Sequence, residues 1–547
     1  MNHSLFLISA LAAGLTLSSC DTANQDASGV DTRQSLRGLA VDGKVAGGKV
    51  WVDMNDNLEV DDFEPFARTD NDGYYSYNPT TDINYCTLPS NDDQYKHCLV
   101  FGSTTDAMTI RISGGIDLAT GEGLKGLMAM FSSISESSSI DELMLVLSPL
   151  TTVLAGIADP TELQTIKTAL GIDSDDDLRT DFSKAEGANT KTKKLLANAV
   201  AMQSMMDVLS SATDSDSTLS ESQIQAKIIK KVSASIISTR KAPIDFDTDT
   251  IKSLVAEVST DATQQTNVSA RMADLNKQNK IIETATTQSE IDGQIKASEV
   301  ISQIVKREAD QKGTASSKAA AKKILGAAGT GGGIETLSVK LAAKLTQLDS
   351  VAEEERVEFD ISSITNTLVE SSEAAGEAEW NIDEVDNAVD DSKLATNTQW
   401  GGNWFVLRAT AEDSDELKAG SYVAVRMEGS ADSTSGALAM CANASVADST
   451  DPEEIFENEY FGGSWSKLNG GMVILYLDYN GQDLEGKIKA KVKETADAKQ
   501  QYRLTSDVDG VSESGDMELD VNGVSSLVNV SKPTSSDDCA NNVDTVL

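Results

Sequence analysis

The feature that most limits how this chain can fold is a double change of hydrophobic period along its 547 residues. From Leu36 to Ser113, runs such as "KVWVDMN", "GYYSYN" and "AMTIRIS" alternate apolar with polar or small residues between glycine turns, the period-two signature of half-buried strands. Helical spacing follows. Ile224, Ile228, Val232 and Ile236 form one stripe, Ile251, Leu254, Val255 and Val258 a second, and Leu337, Leu341, Leu345 and Leu348 a third. From Thr396 onward strands return in "NWFVLRATA", "GSYVAVRMEG", "GGMVILYLDY" and "LEGKIKAKVKE". The chain is therefore expected to be a multidomain α+β protein, with a small β-sandwich over 36–113, a central all-α helical region over 114–395 and a C-terminal antiparallel β sandwich or barrel over 396–547. Between Ser183 and Glu379 the only aromatics are Phe246 and Phe359, so the helices must pack through Ala, Ile, Leu and Val, as in a bundle or helical array.

Residues 1–19 combine a short polar start, the apolar run "LFLISALAAGLTL" and small residues, the build of a secretory signal and too short for a spanning helix. They end in Leu17-Ser18-Ser19-Cys20, which resembles the bacterial lipobox. That resemblance implies lipidation of Cys20, a membrane link through the lipid, and the bacterial cell envelope as location, at the outer membrane and cell surface or a periplasmic face. Residues 20–35 then read as a flexible tether. Of five cysteines, four remain: Cys86, Cys98, Cys441 and Cys539, an even number in a compartment that permits disulfides. Pairing between sequence neighbours is expected, Cys86 with Cys98 and Cys441 with Cys539. The run "LMLVLSPLTTVLAGI", 143–157, is interrupted by Pro149 and is expected to be a buried helix and turn. A formal charge of -42 argues against nucleic acid as a partner and against adsorption to anionic lipid; it also makes bound cations stabilising, because a compact chain of that charge repels itself.

The stretch "VWVDMNDNLEVDDFEP" places oxygen-bearing residues at the spacing of a calcium loop. Counted from Asp53, side-chain donors fall at positions one, three, five, nine and twelve as Asp53, Asn55, Asn57, Asp61 and Glu64, with the backbone carbonyl of Glu59 at position seven. Calcium takes six to eight hard oxygens at flexible angles, which alternate residues of a tight loop supply. Position six, normally Gly, is Leu58, and a left-handed backbone there costs about 1–2 kcal/mol. Together with "RTDNDGYYSY", this stretch resembles the transthyretin-like β-sandwich modules of bacterial surface proteins, including the B-type repeats of serine-aspartate adhesins and carboxypeptidase-regulatory-like domains. The resemblance implies calcium ligation by Asp53, Asn55, Asn57, Asp61 and Glu64, a hairpin turn at Asp70, Asn71, Asp72 and Gly73, and a stalk or scaffold role without catalysis. It covers 36–157, about a fifth of the chain, where "RISGGIDLATGEGLKG" leads into the helical region.

Elsewhere the sequence offers little chemistry. The histidines are His3, in the signal, and His97, expected to be loop decoration beside Cys98. Ser464 and Lys467 match Ser-x-x-Lys without the elements that complete such a site. "GAAGTGGG", 326–333, lacks the Gly-Lys-Ser/Thr ending of a phosphate loop and reads as a linker, and "DSDDDLRTD", 173–181, as a solvated acidic turn. Lys487, Lys489, Lys491 and Lys493 alternate with Ile488, Ala490 and Val492, the pattern of a lysine-protected edge strand. Trp404 and Trp465 each follow a Gly-Gly pair. In a lipocalin-like barrel they would close a ligand cavity; otherwise they pack against glycine. The expected function is a non-enzymatic, lipid-anchored surface or periplasmic protein, a calcium-stabilised stalk or scaffold presenting a distal β-domain for adhesion or for binding a protein or carbohydrate ligand. A small-ligand carrier is the alternative and a secreted hydrolase the third.

Overall fold

The computed structural model describes residues 34–540 apart from the stretches 102–106, 125–126, 134–143, 184–189, 215–217, 327–332, 350–358, 395–399, 409–421, 431–432, 446–454, 470–471, 480–481, 495–499, 509–510 and 519–532 and the single positions 42, 62, 91, 180, 377 and 379. The signal, Cys20 and most of the tether therefore lie outside the described residues. The protein is mixed α and β and divides into two units, Val30–Ser392 and Lys393–Leu547.

In the first unit, seven principal strands form two sheets. They are β1 (Arg37–Ala40), β2 (Lys49–Asp53), β3 (Phe66–Arg68), β4 (Tyr74–Tyr75), β5 (Ala107–Ser113), β6 (Met128–Ser133) and β7 (Met144–Leu147). One sheet has the order β6-β5-β2-β3, all antiparallel; the other is β7-β1-β4, with β7 parallel to β1. The period-two reading holds residue by residue. Val50, Val52, Ala67, Ile110 and Ile112 turn inward to meet Ala40, Tyr75, Leu145 and Leu147 in one core. The opposite parity of the second sheet, Leu39, Tyr74 and Val146, packs on the helices.

That arrangement corrects three expectations. The strand region does not end at Ser113, because β6 and β7 complete its sheets, and 143–157 is not a helix and turn alone but strand β7 followed by helix α1 (Pro149–Leu154), with Ser148 capping the helix. Nor is the sandwich an independent domain. The β7-β1-β4 sheet is the middle layer of three, buried on both faces, so the sandwich and the helical region share structure.

The helices are α2 (Pro160–Leu170), α3 (Thr190–Ser211), α4 (Glu221–Thr239), α5 (Thr248–Val255), α6 (Ala262–Asn279), α7 (Gln288–Ala309), α8 (Ala315–Gly326), α9 (Gly333–Asp349), α10 (Ile361–Ala374) and α11 (Glu384–Asp391). Their starts follow from capping chemistry: Ser220 with Gln223 opens α4, and Thr287 with Glu290 opens α7, each pair satisfying free amides at the helix end. Ile228, Val232 and Ile236 are buried, as are Ile251, Leu254, Val255, Leu337, Leu341 and Leu345. The Leu348 side chain lies outside the described residues, as does most of the glycine-rich 326–333 stretch. Gly293, in the interior of α7, is there for proximity: a Cβ would stand 2.2 Å from Thr346 Oγ1 and 3.0 Å from Ala342 O of α9.

The second unit is an antiparallel meander of eight strands in sequence order, β8 (Trp404–Arg408), β9 (Tyr422–Met427), β10 (Ser435–Ser445), β11 (Ile455–Asn469), β12 (Met472–Tyr479), β13 (Gln482–Glu494), β14 (Gln500–Val508) and β15 (Val511–Glu518). One face carries Phe405, Val425, Met427, Leu438, Met440, Phe461, Trp465, Val473 and Leu475 as a continuous core. The other carries Trp404, Tyr422, Ala424 and Cys441, where the disulfide to Cys539 fastens the C-terminal segment.

Candidate metal centre in the acidic loop

Asp53 is the last residue of β2, and Phe66 begins β3, so the acidic loop is the connection between two antiparallel neighbours. Its ends are pinned by Val52 N donating to Pro65 O at 3.1 Å. Glu64 is buried and ties the loop shut: its Oε1 accepts from Met54 N at 2.7 Å and its Oε2 from Asp61 N at 3.1 Å. Asp61 Oδ2 receives the side-chain amides of Asn55 at 2.7 Å and Asn57 at 2.9 Å. Asn55 Oδ1 and Asn57 Oδ1 accept from the amides of Asn57 and Glu59, and Asp53 Oδ2 from that of Leu58 at 3.3 Å. The spaced donors Asp53, Asn55, Asn57, Asp61 and Glu64 thus form one linked network. Leu58 sits at φ 73°, the left-handed backbone that position six of such a loop demands.

Two residues that the spacing did not single out complete the site. Arg111 of β5 lies on Asp53 Oδ2 at 2.5 Å and also reaches Asp56 Oδ1. One cation therefore already offsets part of the loop's charge. Asp53 itself is only 5% exposed, and its second oxygen, Oδ1, is buried without a hydrogen-bond partner among the described residues. A buried carboxylate oxygen left bare costs about 1–3 kcal/mol, more when charged, so this atom is where a hard cation would be welcomed. Among the described residues no group of three His, Cys, Asp or Glu side chains stands ready to hold a metal, so any ion here would draw on the Asn oxygens and on backbone carbonyls, as calcium does.

The second acidic turn has a different use. Asp70 Oδ1 accepts from Asp72 N and Tyr74 N, both at 2.8 Å, and its Oδ2 from Asn78 Nδ2 at 2.8 Å and Tyr85 OH at 2.6 Å. With four donors, this buried carboxylate is spent on holding the 70–73 turn, which closes through Gly73 N to Asp70 O at 3.0 Å.

His97 is no loop decoration. Its Nδ1 meets Arg68 O of the edge strand β3 at 2.9 Å, and its ring packs on Tyr85 with centroids 4.9 Å apart, beside the Cys86–Cys98 disulfide. The contact covers an acceptor of that edge strand, which would otherwise invite another strand. Burial pushes the His97 pKa down to about 4, with neighbouring Lys96 adding to the fall. Because the folded value lies below the unfolded 6.5, stability is full above about pH 6.5 and drains as pH falls toward 4, by up to about 3 kcal/mol. Asp117 works in the opposite sense: burial, with Glu299 and Glu122 adding, raises it to about 7, so its contribution declines as pH rises from 3.8 to 7. His97→Gln should therefore flatten the acid side of a stability–pH profile by urea titration, while Asp117→Asn should steepen it; an unchanged slope in His97→Gln would show that the ring titrates freely.

The remaining sequence motifs are settled by position. Asp177 Oδ2 accepts from Asp173 N and Ser174 N and pairs with Lys191 at 2.6 Å, which makes 173–181 a locally bonded turn. Ser464 and Lys467 are three residues apart on β11 and so project from opposite faces. The lysine strand β13 is not an edge: Lys487 and Lys489 are flanked by β12 on one side and β14 on the other, so edge protection does not account for them. Register also separates the tryptophans. Trp404 shares its face with Arg426, Ala439 and Gly462, which puts Trp465 on the other. They do not close one cavity. Trp465 donates Nε1 to Glu428 O at 3.0 Å, and Trp404 packs near the Cys441–Cys539 disulfide.

Fold and site together define a protein of mixed α and β architecture, in which a two-sheet N-terminal region built on helices carries an oxygen-rich acidic loop. Comparison with protein-family profiles, with curated proteins and with solved structures finds no match.

Proposed function

We propose that this is a lipid-anchored protein of the bacterial cell envelope, without catalytic activity, in which calcium in the Asp53–Glu64 loop stiffens a transthyretin-like sandwich that, with its helical layer, serves as a stalk or scaffold, while the C-terminal β-domain binds a protein or carbohydrate partner. The observation that carries the calcium part is Asp53 Oδ1, buried and without a hydrogen-bond partner among the described residues, in a loop whose position six is left-handed. The anchor part rests on Leu17-Ser18-Ser19-Cys20 at the end of the apolar run.

The test is thermal melting of the whole mature chain, since a 36–113 fragment would lack β6 and β7. With a dissociation constant of about 0.1 mM, calcium at about 1 mM stabilises by about 1.4 kcal/mol. In a unit of this size that raises the melting point by roughly 2–4 °C. Magnesium at equal ionic strength should do much less, because it sheds water reluctantly and demands stricter geometry. Glu64→Gln should abolish most of the shift, and Leu58→Gly should tighten binding by about tenfold through relief of the left-handed strain. Equal shifts with calcium and magnesium, unaltered in Glu64→Gln, would reduce the loop to a solvated turn.

A further inference from the structure

Among the described residues large apolar side chains seldom stay exposed, and half of those that do belong to the acidic loop and its flanks. Met54 is 56% exposed, Phe63 63% and Phe66 47%; among the described residues only Leu219, Ile281 and Val339 join them. The three are neighbours in space. Met54 N is bonded to the Glu64 carboxylate, Phe63 precedes Glu64, and Phe66 lies across from Trp51 where β3 begins, with Lys49 Nζ 4.8 Å from its ring. An acidic loop rimmed by two phenylalanines and a methionine costs solubility without adding to the core, which is a reason to look for what covers it.

Topology says which way this end of the sandwich points. β1 ends at Ala40 and β2 begins at Lys49 in the facing sheet, so this short connection makes the two strands run in opposite directions, and the start of β1 lies at the same end as Asp53. The route from the chain's entry agrees: Gln34 pairs with Phe101, and six residues later Ala107 opens β5, whose Thr109 stands opposite Asp53. The polypeptide therefore enters the sandwich at its acidic-loop end. Thirteen residues, 21–33, separate Cys20 from Gln34, fourteen steps of chain that would span about 20 Å as a random coil and about 50 Å at full extension. A lipid on Cys20 keeps the loop end within that distance of the bilayer, at a high effective concentration.

We propose that the acidic-loop end of the sandwich rests on the bilayer that holds the anchor, with Met54, Phe63 and Phe66 entering the headgroup boundary when the loop carries calcium. The proposal rests on the anchor and calcium readings above. Without a dication, the carboxylates of Asp56, Glu59 and Asp61 hold water around the rim and, with the buried Asp53 and Glu64 behind them, repel phosphate headgroups, as the whole chain's charge of -42 does. With one bound, that repulsion falls, lipid phosphate oxygens can fill coordination positions the loop leaves open, and apolar burial is no longer opposed. Calcium then sets the orientation of the protein on its membrane: upright on a fixed base when bound, swinging on the tether when absent.

The chain starting at Asp21, which carries no lipid, is mixed with phosphatidylcholine vesicles and with vesicles of phosphatidylcholine and phosphatidylglycerol, in calcium or in chelator, and flotation is measured beside the melting shift. The expected result is flotation in calcium only, weakened roughly tenfold or more in Phe63→Ser/Phe66→Ser while that variant keeps the calcium-induced rise in melting. A calcium-dependent melting shift with no flotation overturns the docking and leaves the calcium reading standing. No shift and no flotation removes both. Flotation that persists in chelator, or that the serine variant retains on phosphatidylglycerol alone, shows adsorption or simple ion bridging and overturns it as well.

Discussion

Gly38→Ala is expected to destabilise the first unit by about 3 kcal/mol or more. Gly38 is in the centre of the middle sheet, between β7 and β4, where it pairs with Leu145 on one side and Tyr75 on the other. A Cβ there would stand 2.1 Å from both Cζ and the hydroxyl oxygen of Tyr75 and 2.4 Å from the backbone oxygen of Leu145. The Tyr75 ring is fully buried and is walled in by the sandwich core, so it has nowhere to turn. Shrinking the ring separates the two obstacles. Tyr75→Leu combined with Gly38→Ala should recover only part of the loss, because the Leu145 carbonyl belongs to a strand held in register and does not move aside. Denaturant midpoints of the two single variants and the double variant give the answer. A Gly38→Ala protein within about 0.5 kcal/mol of the parent would mean that the middle sheet is not packed as described.

How much of this was legible in the sequence depended on how far each signal reached. Alternation fixes the parity of a strand, and so the inward set Val50, Val52, Ile110 and Ile112 could be read directly. Helical stripes such as Ile228, Val232 and Ile236 could be read for the same reason, and cysteine arithmetic found both disulfides. Parity does not say which strands are neighbours. β7 belongs beside β1, about a hundred residues earlier, in a parallel pairing that no local turn announces, so local patterning ends the strand region at Ser113 and does not reveal the shared middle layer. The same blindness made the lysine strand look like an edge, when register places β13 inside the sheet. In the acidic loop the spaced oxygens were visible, but Arg111 was only an outward residue on an alternating strand. Nothing local ties it to Asp53, 58 residues earlier. His97 stood in no motif because its partner, Arg68 O, is a backbone atom.

Removing the Cys441–Cys539 disulfide should cost the second unit about 3–5 kcal/mol, more than removal of Cys86–Cys98 costs the first. The reasoning is one of chain entropy. The C-terminal bridge spans 98 residues and the N-terminal one 12, and closing the longer loop restricts the unfolded chain more. Local packing adds to it. Cys539 is fully buried against Trp404, Tyr422 and Ala424, and it follows a single helical turn, Ser536–Asp538, too short to persist by itself. Once the bridge is gone, the segment should detach and admit water to Trp404, whose buried Nε1 has no partner among the described residues and gains one from solvent. Cys441→Ala/Cys539→Ala avoids leaving a lone thiol and is the variant to use. It should show red-shifted tryptophan emission and rapid proteolysis near the C-terminus at temperatures where the parent resists, with the denaturant midpoint of the second unit falling and that of the first unchanged. Equal losses from the two double-alanine variants would remove loop length from the explanation. A loss confined to proteolysis, with no change in midpoint, would mean that the bridge fastens a strap and that the eight-stranded sheet stands without it.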